Sequence, residues 1–180
     1  MDNATLKKVR LMQAVRLAGI GVLFLPLPLT MRLLILYVMD IIDCNPIMFP
    51  FKACLSDEYQ LSDKIVDWVT YLAILIYLLS SHPSQPFANA LLCAMLVYRG
   101  VGITKYVKNK DPTTFMKYPD IFREFSLLVA MMIDGYIPKT PLSLVISAAV
   151  ATGVKIVYER IHHGGVIEKK RYLRKAGIII

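Results

Sequence analysis

Long apolar runs follow one another along this chain, separated by short breaks that carry proline or charge. A soluble domain buries one face of each element, and its sequence alternates accordingly; these runs do not alternate. Runs of this length favour helices, which satisfy every backbone group internally and so tolerate lipid. The 56% hydrophobic content and mean hydropathy of +0.53 agree with that reading. The expectation is an all-α, polytopic membrane protein. It would form one transmembrane domain over residues 1–180, with no soluble second domain, internal repeat or cleavable signal peptide.

Four spans are clear: 64–81, 87–103, 119–138 and 141–158, with Pro83, Pro86, Pro138 and Pro141 at the turns between them. The first 43 residues are apolar over more than one span and barely long enough for two. Within them FLPLPLTMR carries two prolines and then Thr30, a residue able to cap a helix that starts at Met31. A hairpin of helices over 11–26 and 31–43 brings the total to about six transmembrane helices.

Charge placement orients the spans. With the N-terminus inside, the inner segments 1–10, 44–62, 99–118 and 159–180 hold fifteen Lys and Arg, against Arg32 and Lys139 outside. A five-span chain with its N-terminus outside is the alternative, with twelve inside and four outside. In both, the 44–62 loop and the basic tail at 159–180 face the cytoplasm, and six spans place residues 1–10 there too. The basic clusters also suit anionic head groups. Nothing in the tail supports nucleic-acid binding, since aromatic interleaving is lacking. Cys44, Cys54 and Cys93 form no CxxC pair; Cys93 reads as core filler. A zinc site joining Cys44 and Cys54 with His162 and His163 has unconvincing spacing.

Two short stretches resist the membrane reading. VMDIID places Asp40 and Asp43 at i, i+3 near the end of one apolar run, and SDKIVD places Asp63 and Asp67 at i, i+4 at the start of the next. Each pair shares a helix face. Asp63 after Ser62 also reads as an ordinary helix start, and Asp43 as an ordinary helix end. Asp40 and Asp67 lie about a turn inside apolar sequence, where a carboxylate costs roughly 2.5–3.5 kcal/mol near the bilayer centre and less towards the interface. The loop between the pairs returns the chain to the same side, so the two faces can meet. Four carboxylates there make a hard-oxygen site of the kind Mg²⁺ or Mn²⁺ prefers.

Those four aspartates resemble the signature D-x2-D-G-x2-A-R-x8-G-x3-D-x3-D of the CDP-alcohol phosphatidyltransferase family, membrane enzymes of phospholipid synthesis with a six-helix domain. Asp40-x2-Asp43 matches its opening and Asp63-x3-Asp67 its close, in the same topological slots; LTMRLLILY resembles the approach seen in relatives. Cys44, Ile47, Met48 and Tyr59 stand where the signature has Gly, Ala, Arg and Gly, and the interval from Asp43 to Asp63 is two residues longer. The resemblance implies that 44–62 is an active-site loop. Asp40, Asp43 and Asp63 would bind divalent metal, with Asp67 completing the site and serving as general base.

The activity so implied is transfer of a phosphatidyl group from a CDP-diacylglycerol-like lipid to a small alcohol, releasing CMP. A homodimer is the assembly suggested. Tyr59 would meet the cytidine, and Lys52 is the sole basic residue left in the loop. Lys64 is placed to neutralise a carboxylate, while Arg99 and Arg123 are candidates for an acceptor phosphate or topology signals. The alternative function is a cation channel or transporter, or a catalytically inactive scaffold, using the same carboxylates.

Overall fold

The computed structural model describes residues 3–42, 57–109, 111 and 113–175, which are helical throughout apart from short connections. The order is α1 (Asn3–Gly19), a 3-10 turn (Ile20–Phe24), α2 (Leu29–Ile42), α3 (Asp57–Ser81), α4 (Pro86–Asn109), a short α5 (Thr113–Lys117), α6 (Phe122–Ile133) and α7 (Pro141–Lys175). The expected helices at 11–26, 31–43, 64–81, 87–103, 119–138 and 141–158 each have a counterpart, with shifted limits. The basic tail that begins at 159 continues α7 as helix to Lys175.

Among the described residues, three helical stretches are long and apolar enough to cross a membrane: Leu61–Ser81, Pro86–Asn109 and Pro141–Tyr158. α2 and α6 have only 14 and 12 residues. At 1.5 Å per residue they rise about 21 and 18 Å, short of the ~30 Å hydrocarbon layer. α7 turns Leu142, Val145, Ile146, Val150 and Val154 outward, as a lipid-facing helix does. Cys93 also faces outward on α4 and fills no core. The periodicity of that run is too weak to tell an inward from an outward position.

The core joins α2, α3, α4 and α6 through Leu33, Ile74, Leu78, Leu92, Phe125 and Val129. Tyr71 stacks on Phe122 with ring centroids 4.8 Å apart, and Tyr37 hydrogen-bonds Ser126 between α2 and α6. α3 and α4 form an antiparallel hairpin through 82–85, with Pro86 at the first position of α4, where its missing N–H is harmless. Trp68 Nε1 donates to the Leu96 carbonyl at 3.1 Å, so Leu96 stands level with Trp68. Beyond it, Gly102 admits Tyr118: a Cβ at that position would lie 2.5 Å from the Tyr118 Cβ.

α6 ends in a Schellman turn. Gly135, at φ +86°, takes the left-handed position; its N–H reaches the Met132 carbonyl, and the Tyr136 N–H reaches Met131 at 2.8 Å. The turn aims Asp134 at the start of α2, where it accepts from the N–H groups of Leu29 (3.1 Å) and Thr30 (2.7 Å). Thr30, expected as the cap, is therefore inside the helix, and the cap comes from a residue distant in sequence. Arg32 closes the preceding proline turn by donating to the Leu27 and Leu23 carbonyls at 2.6 and 2.7 Å and to the Tyr77 hydroxyl.

Candidate functional site

Val9, Gln13 and Arg16 lie one turn apart along a single face of α1, and α3 opposes them with Tyr59, Ser62 and Asp63. Val9 and Tyr59 are buried in one cluster, and Gln13 Nε2 donates to Ser62 Oγ at 2.6 Å. That register brings the Arg16 guanidinium to the carboxylates. Its Nη1 donates to Asp63 Oδ1 at 2.7 Å, and its Nη2 donates to both Asp40 Oδ1 and Asp67 Oδ1. Arg16 is only 6% exposed.

Around this centre stand further pairs. Lys64 Nζ lies 2.7 Å from Asp63 Oδ2 and 3.4 Å from Asp67 Oδ2. Arg123 Nη1 donates to the second oxygen of Asp40 at 2.6 Å and Nη2 lies 3.2 Å from Glu124, which also meets the buried Lys155 of α7 at 3.4 Å. Among the described residues, four cations and four carboxylates thus link α1, α2, α3, α6 and α7 in one network. Burial of ions is tolerable only with such pairing, because the interior does not screen or solvate them.

The expected meeting of acidic faces holds for three members: Asp40, Asp63 and Asp67 each offer an oxygen, all within 4.8 Å of one another. Asp43 and Lys52 lie outside the described residues. As donors these three fit a hard divalent cation such as Mg²⁺ or Mn²⁺. Arg16 is bonded to all three, so a cation that reached them would take the place of the guanidinium. The crevice lined by Arg16, Tyr37, Asp40, Asp67 and Tyr71 has a volume of about 10 Å³, room for about one water.

The other named residues are placed as follows. Tyr59 is buried against α1. Lys64 and Arg123 belong to the network. Arg99, 1% exposed, donates to the Tyr118 carbonyl at 2.8 Å, lies over the Phe115 ring and stands 4.0 Å from Asp120. Asp120 also accepts from the Tyr71 hydroxyl at 2.7 Å.

Sequence reasoning missed Arg16 and Lys155. Their signal is visible in the charge count: Arg16, Lys64, Arg123 and Lys155 are the four basic residues that belong to no inner or outer segment and fall inside the expected spans. They are also the four cations of the network. No family model, curated protein or solved structure matches the chain.

Proposed function

We propose that the chain is a six-span membrane transferase of phospholipid synthesis, of the CDP-alcohol phosphatidyltransferase type, working at the cytoplasmic interface. The observation that carries this reading is the convergence of Asp40, Asp63 and Asp67 from two helices onto one point. Asp40 and Asp63, with Asp43, would hold Mg²⁺ or Mn²⁺, and the ion would neutralise the pyrophosphate of a CDP-linked lipid. Asp67 is the general base. A carboxylate oxygen of Asp67 takes the hydroxyl proton of a small alcohol as the alcohol oxygen bonds to phosphorus, and the P–O bond to CMP breaks so that CMP leaves. Both Asp67 oxygens face cations in this state, Arg16 and Lys64. Withdrawal of Arg16 opens the acidic centre to substrate.

The test is CMP release from CDP-diacylglycerol in liposomes containing the chain, with Mg²⁺ or Mn²⁺ and a panel of small alcohols. Asp67→Asn is expected to lower turnover by about 10²–10⁴-fold, the usual contribution of a general base. No CMP release with any alcohol removes the transferase reading.

A second reading is favoured by the Arg16 contacts: a catalytically inactive membrane scaffold in which the carboxylates serve only to hold α1 against α2 and α3. It expects no metal-dependent CMP release, and Asp67→Asn then changes only the unfolding of the detergent-solubilised chain.

A further inference from the structure

Because α3 and α4 are antiparallel and Trp68 meets Leu96, the last turns of α4 run beside the part of α3 that bears Asp63. There, between α4 and α5, lies a cavity of about 420 Å³ lined by Tyr98, Lys105, Asp111, Thr114, Lys117 and Tyr118. Its size falls within the usual range for small-ligand sites, and it shares no lining residue with the carboxylate crevice.

The walls are arranged before any ligand arrives. Lys105 Nζ donates to the Tyr118 hydroxyl and stands 4.8 Å from that ring's centroid. Tyr98 packs against Tyr118 at 4.9 Å between centroids, and its hydroxyl donates to the Lys117 carbonyl at 2.6 Å. The acid in the lining is engaged by its neighbour: Asp111 accepts from the Thr113 N–H at 2.9 Å with one oxygen and from the Thr113 hydroxyl at 2.6 Å with the other. Neither Lys105 nor Lys117 forms a salt bridge with a carboxylate among the described residues. The cavity is thus lined by two lysines and by the hydroxyl-bearing Tyr98, Thr114 and Tyr118, while both oxygens of its acid are engaged by Thr113.

We propose that this cavity is a binding site for a phosphate monoester. Two compact cations and hydroxyl donors suit a multi-oxygen anion, and the end of a membrane-crossing helix is where lipid phosphates lie. The site is independent of the transferase reading, since binding needs neither metal nor turnover. The same phosphate chemistry is offered by a lipid head group and by a soluble ester, and the test separates them.

Full-length chain in detergent is mixed with equal amounts of phosphatidic acid and phosphatidylcholine, and retained lipid is counted by native mass spectrometry. A parallel arm follows thermal unfolding with glycerol 3-phosphate. Phosphatidic acid is expected to be retained over phosphatidylcholine by roughly thirtyfold, as two lysines near a membrane surface would give. The Lys105→Gln, Lys117→Gln double variant should bring the two lipids to parity. The double Lys→Arg variant should keep the preference and report that the fold is intact, and Lys139→Gln at the other end should leave it unchanged. Stabilisation by glycerol 3-phosphate as well identifies the phosphate itself as sufficient; retention of phosphatidic acid alone identifies a lipid head group. The proposal is overturned if the double Gln variant retains the wild-type preference, or if phosphatidic acid is retained no better than phosphatidylcholine and glycerol 3-phosphate does not stabilise the chain.

Discussion

The two ends of the α2–α6 pair handle charge in opposite ways. At one end Asp40 of α2 meets Arg123 of α6 and Arg16 of α1, side chain to side chain. At the other, about 15 Å along the helices, Asp134 and Arg32 spend their hydrogen bonds mainly on backbone groups that the helix start and the proline turn leave unpaired. The capping end needs no matched partner, because each charged group answers dipoles already fixed by the backbone. The network end is all-or-none: remove one ion and its partners are left buried. Only the second kind of arrangement can be opened by a competing ion, and for that reason the functional reading belongs there.

Substitutions at each end put this contrast to the test. Arg16→Ala leaves three carboxylates around an empty centre and should destabilise the detergent-solubilised chain by roughly 3–5 kcal/mol, the scale for breaking a buried ion pair. Arg16→Lys should restore only part of it, since one ammonium cannot reproduce the fork that reaches three acids. Equal unfolding of wild type and Arg16→Ala by thermal melt would show that the network contributes nothing. At the capping end Asp134→Ala should cost about 0.5–2 kcal/mol, with Asp134→Asn milder because an amide oxygen still accepts. A loss as large as that of Arg16→Ala would erase the distinction between the two ends.

The smallest effect belongs to Asp111, an acid in the loop before α5. Hydrogen bonds from the Thr113 hydroxyl and N–H hold its carboxyl below the ordinary range. A group lowered on folding stabilises the fold above its unfolded value of about 3.9 and loses that contribution as pH falls through its folded pKa. The stability gap between wild type and Asp111→Asn should thus be constant near neutrality and close in acid. A gap that widened on acidification would contradict the assigned direction.

Much of the fold was legible, because apolar runs bounded by proline report their own conformation. The start of α4 at Pro86 and of α7 at Pro141 agrees with punctuation in the sequence. The start of α2 does not: its cap comes from Asp134, and local reading assigns that task to Thr30. The acidic site was half legible. Spacing alone put Asp63 and Asp67 on one face of α3 and Asp40 near the end of α2, but nothing local pairs an arginine on α1 with them. Only the count of basic residues left inside the spans carries that information, without saying which acid each one meets.

By itself, then, the sequence determined that this protein is helical, that several apolar stretches suit a membrane, and that aspartates flank one loop, since these follow from hydrophobicity and period along a single chain. Tertiary structure alone decided that the acids close around Arg16, that Lys155 joins them through Glu124, and that two lysines of the α4–α5 region line a cavity. Those outcomes depend on the register and rotation of one helix against another, and a side chain's partner across such a contact is set by packing that no local pattern encodes.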